Sequence, residues 1–412
     1  MVLLYNLGIF LYSLLIKLAT MFNEKARLFV NGRKNWENVL MKKINPKEKY
    51  IWFHCASLGE FEQCRPVIEE VKGKFPDKQI LLTFFSPSGY EIRKNYSSAD
   101  VICYLPLDTK RNAIRFLDIV NPEKALFVKY EFWHHYISEM NKRGIQLYAI
   151  SSIFRNNQLF FKSSPWAKWY RKNLNGFTHF FIQNKKSGEL LSKIGIDNYS
   201  ISGDTRFDRV ATIASGSKRF PIVDKFKGNS PLIVVGSSWK PDEELIVRFI
   251  NNQKSDARFI IAPHEVSESN ITRIQQALTV PSLRFSSVSE TEIIGKKVII
   301  VDSIGILSSL YQYGDIAYIG GGFGVGIHNI LEAATYGMPI VFGYNYKKFD
   351  EACNLIMEGG AFPVNSYKDL DSIFESFLNN KDKLLEAAKL SRKFVEKNLG
   401  ATSIIIKKVF NI

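Results

Sequence analysis

Short apolar runs alternate with amphipathic stretches along most of the chain. In the first half these runs lie at 50–56, 79–85, 124–133, 145–151 and 178–184. They are rich in β-branched and aromatic residues, and the segments between them have helical spacing. Such alternation is typical of a parallel sheet with helices on both faces. The pattern therefore predicts an α/β domain of the doubly wound kind.

A polar stretch that ends near residue 230 interrupts this alternation, which then starts again. The second set of apolar runs lies at 231–239, 257–265, 296–303, 315–324 and 338–343, and a helical segment is expected from about Asp369 to Asn398. We predict a first domain at 23–210, a linker at 211–229 and a second domain at 230–412. Two such domains would face a central cleft, and these folds bind ligands at the carboxyl ends of their strands.

The N-terminal segment, residues 1–22, has a different pattern, because no charged side chain precedes Lys17. Its apolar run is borderline for the roughly 20 residues that span a bilayer, and no basic residue precedes it as in a cleaved signal peptide. A buried core helix is one interpretation. A membrane anchor or interfacial helix is favoured by the basic residues that follow, which would keep the body cytoplasmic. These residues are Lys25, Arg27, Arg33, Lys34, Lys42 and Lys43.

Composition narrows the class of protein. The 412 residues include 55 Lys and Arg against 40 Asp and Glu, which gives a net charge of +15. An apolar fraction of 46% excludes a largely disordered chain, and a mean hydropathy of −0.09 excludes a polytopic membrane protein. Four cysteines without a CxxC pair support neither a disulfide framework nor a structural zinc site. The positive excess indicates an anionic partner: nucleic acid, a phosphorylated metabolite or an acidic membrane.

Three strand ends in the second half carry candidate binding residues. Pro263 and His264 lie at the end of one run, residues 302–307 begin at the end of another, and a glycine-rich loop at 320–326 precedes a helix that contains Glu332. Glycines allow close approach to a ligand, and a helix N-terminus favours phosphate. The loop lacks the ending of a Walker A motif, and packing alone is the other interpretation of its glycines.

The first half offers two carboxylates and a cation near strand ends. Glu60 closes the segment 54–60 and Glu131 lies near the end of the run at 124–133, whereas Arg206 lies near the domain boundary. Each carboxylate is either a helix-cap or ion-pair residue or a group that acts in chemistry. Two carboxylates with a cation and no evident metal cluster suit sugar transfer from an activated donor to an acceptor hydroxyl.

Taken together, these segments resemble the 3-deoxy-D-manno-octulosonic acid (Kdo) transferases of Gram-negative lipopolysaccharide synthesis. The resemblance covers nearly the whole chain, and its sequence blocks occur in the same order as in that family. No single block identifies the family, but six blocks in register do. It implies a glycosyltransferase-B architecture, with two Rossmann-like doubly wound domains and an N-terminal membrane-associated helix. The blocks are HCASLGE (54–60), SPSGYE (86–91), KYEFW (129–133), GDTRFD (203–208), DSIGIL (302–307) and GGGFGVGIHNILEAA (320–334).

The resemblance also implies an activity. Kdo would move from CMP-Kdo to a hydroxyl of a tetra-acylated lipid A precursor (lipid IVA), with inversion and without a metal or other cofactor. Glu60 would be the general base, and Glu131 and Arg206 lie in segments expected to stabilise the transition state. The implied partners are CMP-Kdo, the lipid acceptor and the cytoplasmic side of the anionic inner membrane, with no nucleic acid. The implied CMP site comprises Pro263, His264, Ile304, Gly305, Ile306, Asn329, Ile330, Leu331 and Glu332.

Four positions depart from the pattern of that family. Lys129 stands where a Glu is common, which removes a carboxylate, and Arg206 replaces a frequent Lys while keeping the charge. A usual Pro-Arg-His is shortened to Pro263-His264, and Ile306 replaces a frequent Glu. None of these departures affects Glu60.

Three other functions are compatible with parts of the sequence. A glycosyltransferase that uses a UDP-sugar would share the fold and the paired carboxylates. A nucleic-acid-binding protein would explain the charge, but the sequence has no recognisable zinc finger, RNP-like motif or basic arm. A membrane scaffold without catalysis would leave both carboxylate segments unexplained.

Overall fold

The computed structural model describes all 412 residues, which divide into two compact units. Unit 1 comprises Met1–Arg209 and Leu399–Ile412, and unit 2 comprises Val210–Asn398. Each unit contains one seven-stranded sheet in which every pairing is parallel. The prediction of two doubly wound α/β units is confirmed.

The sheet of unit 1 has the strand order β3-β2-β1-β4-β5-β6-β7. Its central strands match the predicted apolar runs, but the run at 124–133 is a strand only as far as Val128, and β3 and β7 were not predicted. Both are short strands toward the sheet edges. The strands are β1 (Tyr50–Cys55), β2 (Gln79–Phe84), β3 (Val101–Tyr104), β4 (Lys124–Val128), β5 (Gln146–Ser152), β6 (His179–Ile182) and β7 (Tyr199–Ile201).

Helices cover both faces of this sheet, and for that reason all six residues of β1 are buried. The helices of unit 1 are α1 (Val2–Ala19), α2 (Glu24–Asn31), α3 (Trp36–Lys43), α4 (Leu58–Lys74), α5 (Pro87–Arg93), α6 (Lys110–Val120), α7 (His134–Lys142), α8 (Pro165–Arg171), α9 (Lys185–Ser192), α10 (Arg206–Ser215), which continues into unit 2, and α19 (Ala401–Phe410).

The C-terminal helix α19 belongs to unit 1, so the predicted second domain of 230–412 differs from unit 2 at its end. Ile405, Ile406 and Val409 are buried in the same apolar cluster as β1 and α4. Asp208 accepts hydrogen bonds from the amides of Gly400 (2.6 Å) and Thr402 (2.7 Å) at the start of α19. This acidic cap and the apolar face together explain why the chain returns to its first unit.

The sheet of unit 2 has the order β10-β11-β9-β8-β12-β13-β14. Its strands are β8 (Leu232–Ser238), β9 (Arg258–Pro263), β10 (Ser282–Arg284), β11 (Val298–Ile300), β12 (Ile316–Ile319), β13 (Ile340–Gly343) and β14 (Ala361–Val364). The short strands β10 and β14 at the edges were not predicted.

The helices of unit 2 differ from the predicted ones at two places. The helical segment expected at 369–398 is two helices that meet at Asn380, and the segment expected as a linker contains the end of α10 and the whole of α11. The helices are α11 (Pro221–Lys227), α12 (Lys240–Asn252), α13 (Glu268–Ala277), α14 (Leu307–Leu310), α15 (Leu331–Ala334), α16 (Asp350–Met357), α17 (Tyr367–Asn379) and α18 (Lys381–Lys397).

The N-terminal helix α1 is the one helix in the chain that is long and apolar enough to cross a membrane. None of its residues is buried, so it is not a core helix. It is nonetheless tied to unit 1: the Tyr5 hydroxyl donates to Asp108 (2.6 Å), and Asn6 Oδ1 lies 2.6 Å from His135 Nε2.

Candidate active site

The strand order places the candidate carboxylates of unit 1 side by side. In this sheet the order reverses between β1 and β4, and doubly wound sheets bind ligands at the carboxyl ends of the strands flanking such a point. Glu60 follows β1 and Glu131 follows β4. The topology therefore brings together two residues that lie 71 positions apart in the chain.

Glu60 lies in the first turn of α4, and its carboxylate accepts a hydrogen bond from the Ala56 amide at 2.5 Å. Burial, followed by the negative charge of Glu131, raises the pKa of Glu60 to about 8. The Ala56 amide and the Lys129 cation act in the opposite direction. Glu60 is thus bonded to the backbone just after β1, and its pKa is close to neutral pH, where a general base is most effective.

Glu131 is held by two side chains that were not among the predicted site residues. His54 Nε2 lies 3.1 Å from Glu131 Oε2, and the Trp133 indole donates to the same oxygen at 2.8 Å. His54 is completely buried and the Glu131 side chain is 11% exposed. The signal that marks His54 in the sequence is a polar residue inside an otherwise apolar, buried strand.

Contacts with the neighbouring strand favour the His54 tautomer that is protonated on Nε2. The Trp52 indole donates to Thr83 Oγ1 at 2.8 Å, and the same oxygen lies 2.8 Å from His54 Nδ1. The Thr83 hydroxyl proton is therefore available to His54 Nδ1, since its other acceptor, the Phe53 carbonyl, is farther away at 3.3 Å. This leaves His54 Nε2–H to donate to Glu131, so that the carboxylate receives two hydrogen bonds.

Lys129 has an unusual backbone for a residue other than glycine, with φ of 55°. Its amide donates to the Ile150 carbonyl on β5 at 3.0 Å, so the left-handed conformation is built into the end of β4. Such strain is concentrated at functional sites. The charge of Lys129 partly offsets the effect of Glu131 on the pKa of Glu60.

Arg206 begins α10 and forms an ion pair with Asp204. Its Nε and Nη2 atoms lie 2.9 Å and 2.7 Å from Asp204 Oδ2, and Gln63 of α4 also donates to this carboxylate at 3.2 Å. Burial raises the pKa of Asp204, but the Arg206 cation and its hydrogen bonds outweigh burial and hold that pKa below its usual value. The side chain of Arg206 is 25% exposed, so part of it still faces solvent.

In unit 2, three aromatic rings stack at the carboxyl end of the sheet. The Trp239 indole donates to His328 Nε2 at 3.0 Å, and the two rings are nearly coplanar at 12°. The His264 ring stacks on both, with centroid distances of 4.3 Å to Trp239 and 4.7 Å to His328. Burial, followed by the charge of His264, lowers the pKa of His328 to about 4, so His328 stays neutral and accepts the indole proton. Trp239 was not among the predicted site residues.

The other residues predicted to bind the nucleotide differ in what they expose. Ile304 is 85% exposed, and Gly305 has φ of 92° with open space where a side chain would be. Ile330 and Leu331 are buried, so only their main chain is available to a ligand. Asn329 links this turn to α15, because its side chain donates to Glu332 at 3.1 Å and accepts from the Leu331 amide at 3.1 Å. Their assignment to a nucleotide stays a prediction.

Packing explains several glycines of the loop at 320–326. A Cβ at Gly320 would lie 2.3 Å from the Ser237 carbonyl oxygen, and one at Gly322 would lie 2.4 Å from the Gly343 amide. Gly321 has φ of 90° and also faces backbone. At these positions the neighbour that requires glycine is the protein itself rather than a ligand.

A cavity of about 430 Å³ lies under the second half of α1 in unit 1. Most of its wall is apolar, and three cations but no carboxylate line it. The Arg33 guanidinium donates to the carbonyls of Leu105, Phe29 and Phe85 at 2.9, 3.0 and 2.6 Å, which holds it in place. The lining residues are Ser13, Ile16, Lys17, Phe29, Val30, Arg33, Lys34, Trp36, Pro106, Leu107 and Asn112.

The two parallel-sheet units define the glycosyltransferase-B fold class. The solved structure of MurG from Acinetobacter baumannii is similar in fold, with a TM-score of 0.57 at 12% identity over 88% of this chain and 100% of that one. Residues 33–209 match the family described as 3-deoxy-D-manno-octulosonic-acid transferase (kdotransferase), and this range contains Glu60, Glu131 and Arg206. The first unit of this chain thus matches the Kdo transferase family model, from Arg33 to Arg209.

Two relatives cover most of the chain. The 3-deoxy-D-manno-octulosonic acid transferase of Aquifex aeolicus is 28% identical over 84% of this chain and 92% of its own length. A protein of Fusobacterium nucleatum called a bifunctional glycosyltransferase/methyltransferase is 25% identical over 97% of this chain. This chain spans 63% of the length of that relative.

Proposed function

We propose that the protein transfers Kdo from CMP-Kdo to a hydroxyl of a tetra-acylated lipid A precursor (lipid IVA) at the cytoplasmic surface of the inner membrane. The proposed reaction inverts the anomeric centre and uses no metal. The observation that carries the proposal is the pair of carboxylates at the β1–β4 switch point, within the part of the chain that matches the Kdo transferase family.

In the proposed reaction, the acceptor hydroxyl oxygen attacks the anomeric carbon of Kdo. The bond from that carbon to the phosphate oxygen breaks, CMP leaves with the electron pair, and Glu60 takes the hydroxyl proton. A pKa of about 8 makes Glu60 a stronger base than an ordinary carboxylate, while a useful fraction remains ionised near neutral pH.

Glu131 supports this chemistry through its charge. Its two hydrogen bonds from His54 and Trp133 stabilise the ionised form. An ionised Glu131 raises the pKa of Glu60, and it is also placed to stabilise positive charge that develops on the sugar ring in the transition state. Lys129 and Arg206 are the cations proposed to bind the phosphate or carboxylate of the donor.

The donor nucleotide is proposed to bind to the turns after β9, β11 and β12 of unit 2. The stacked imidazole of His264 is exposed, and the open backbone at Gly305 offers amide groups without a side chain in the way. Such groups suit a nucleoside monophosphate, since aromatic faces stack on bases and backbone amides bind phosphate.

The cavity under α1 supports a lipid acceptor. Its volume of about 430 Å³ is in the range of ligand pockets, and it combines apolar walls with Lys17, Arg33 and Lys34. This combination suits an acyl chain next to a phosphate. A chain of ring contacts joins α1 to the candidate site, from Tyr12 to Phe85 at 6.2 Å and from Phe85 to Trp133 at 4.7 Å.

The contacts of α1 favour a helix that lies in the membrane surface over one that spans it. Tyr5 and Asn6 in the first turns and Ser13 and Ile16 in later turns face unit 1. A spanning orientation would carry the Asp108 carboxylate and its surroundings into hydrocarbon, which is expensive. The opposite side of α1 exposes apolar residues for insertion, among them Leu4, Leu7, Phe10, Leu15 and Leu18.

A transfer assay tests the function directly. The full chain is incubated with freshly generated CMP-Kdo and detergent-solubilised lipid IVA, and the lipid is analysed by mass spectrometry. We expect a product heavier by one or more Kdo units. An unchanged acceptor, with intact donor and folded protein, would contradict the proposal. CMP but not UDP should raise the melting temperature, whereas stabilisation by UDP alone would favour a UDP-sugar donor.

A matched pair of variants tests the role of Glu60. Glu60→Gln should keep CMP binding and reduce turnover by about 10²–10⁴-fold, the usual contribution of a general base. Glu70→Gln is the control, because Glu70 lies on the same helix α4 with its side chain 43% exposed. Turnover of Glu60→Gln close to that of the control would remove Glu60 from the mechanism.

A further inference from the structure

The chain carries no acidic residue between Glu139 and Glu189, although this stretch contains nine Lys and Arg. At the start of this stretch, Lys142 and Arg143 form ion pairs with acidic residues of helices α6 and α7. Within residues 159–172, which we call the α8 segment, Lys162, Lys168 and Lys172 are exposed and lie within 4 Å of no carboxylate. The α8 segment is therefore a cationic surface without internal compensation.

Aromatic side chains stand among these cations. Trp166 and Trp169 are half-buried, their ring centroids lie 5.1 Å apart, and neither indole N–H donates to a protein acceptor. A Trp side chain combines an apolar ring with an N–H donor. Tryptophans with a free N–H and lysine neighbours are typical of the interface between lipid headgroups and hydrocarbon. An ordinary solvated surface would not need two indoles.

The α8 segment lies beside α1. The Trp169 ring is 5.9 Å from the Tyr5 ring and 4.7 Å from the His134 ring, which is itself 5.6 Å from Tyr5. The α8 segment also follows β5, at the same carboxyl edge of the sheet as Glu60 and Glu131. The cationic surface thus lies beside the N-terminal turns of α1.

We propose that the α8 segment is a second membrane-docking element, which binds anionic phospholipid headgroups through Lys162, Lys168 and Lys172 and inserts Trp166 and Trp169 at the headgroup level. This proposal rests on the membrane location proposed above for α1. Two contacts, the N-terminal turns of α1 and the α8 segment, prevent unit 1 from rotating about the axis of α1. The edge of the sheet that carries Glu60 is then kept toward the leaflet that holds the acceptor.

Charge reversal tests the lysines. The variant Lys162→Glu/Lys168→Glu/Lys172→Glu is compared with Lys47→Glu/Lys49→Glu/Lys74→Glu, which changes the net charge equally at the opposite edge of the same sheet. Binding to vesicles of phosphatidylethanolamine and phosphatidylglycerol should weaken about 100-fold in the first variant, since each basic residue near an anionic surface contributes about 1 kcal/mol. The control should bind nearly as the wild type does. Equal binding of the two variants would overturn the proposal.

Quenching by brominated phospholipids tests the tryptophans without a charge change. α1 contains no Trp, so quenching that is lost in Trp166→Phe/Trp169→Phe reports the α8 segment. Quenching that is the same in this variant as in the wild type would overturn the insertion. Transfer to detergent-solubilised lipid IVA is measured on every variant and should be unchanged. Loss of vesicle binding with retained transfer thus separates failure of docking from failure of the proposed reaction.

Discussion

His54 Nε2 lies 3.1 Å from Glu131 Oε2, and the two residues come from adjacent strands, β1 and the loop after β4. The buried imidazole would be costly without partners on both nitrogens, and Thr83 supplies the second one. The pair therefore depends on a third strand, β2, whose Thr83 lies directly beside His54 in the register. A carboxylate at the strand end is oriented by residues inside the sheet.

Replacement of Thr83 by Val should disturb this pair while it preserves shape. The change leaves the Trp52 indole and His54 Nδ1 without their partner, and an unsatisfied buried polar group costs about 1–3 kcal/mol. We expect the free energy of unfolding, measured in urea, to fall by this amount. We also expect a lower kcat and a displaced pH–rate profile, because His54 can then adopt the tautomer that no longer donates to Glu131. Thr83→Ser should restore both properties. A stability loss with an unchanged pH profile would show that Thr83 serves the fold alone.

The pH dependence of transfer should follow Glu60. With a pKa of about 8, the base is mostly protonated at neutral pH, so kcat/KM should rise with pH and level off above about 8. Because the charge of Glu131 contributes to the raised pKa, Glu131→Gln should move the rising limb to lower pH. Glu70→Gln should leave it in place. A limb that does not move in Glu131→Gln would contradict the electrostatic coupling.

Stability should respond to Glu60 with a definite sign. The pKa of Glu60 in the folded protein is above its unfolded value of about 4.5, so the folded protein binds this proton more tightly. The stability gained from this proton is fully present below about pH 4.5 and is lost as pH rises through about 8. Glu60→Gln stays neutral. Its melting temperature should therefore exceed that of the wild type by a margin that grows between pH 5 and pH 8, as measured by differential scanning calorimetry. A margin that is constant with pH would argue against a raised pKa.

Arg206→Ala should destabilise unit 1 at neutral pH. It removes the cation from the buried Asp204, and hydrogen bonds to charged groups contribute about 1.5–3 kcal/mol. The folded pKa of Asp204 is lowered, so the stability from this pair is present above the unfolded pKa and is lost as pH falls through the folded one. The difference between Arg206→Ala and the wild type in urea unfolding should shrink at acidic pH. Arg206→Lys keeps the charge and should therefore lose less stability than Arg206→Ala.

Asp208→Ala should loosen the C-terminal helix. The substitution removes the acceptor of the Gly400 and Thr402 amides, and loss of such a cap costs about 0.5–2 kcal/mol. Amide hydrogen exchange should accelerate in α19 more than in α18, which lies in unit 2. Asp208→Asn should retain part of the protection. Equal acceleration in both helices would indicate a global effect instead.

Much of the architecture followed from the sequence by itself. Strands such as β1 and β8 are buried on both faces of a parallel sheet, so their apolar runs are continuous and stand out against the amphipathic helices. The same pattern placed Glu60, Glu131 and His264 after strands. The apolar N-terminal run predicted α1, because a charge-free run of that length has few alternatives. The short edge strands β3, β7, β10 and β14 escaped detection, since three or four residues carry no clear period.

Only the tertiary structure decided which side chains act together. The His54–Thr83 contact and the stack of Trp239, His264 and His328 join residues from different strands, and hydropathy periods report burial of a face but not the partner across it. The return of α19 to unit 1 depends on Asp208, nearly 200 positions earlier, which no local pattern reveals. The left-handed backbone of Lys129 is likewise imposed by its pairing with β5, because local propensity disfavours it.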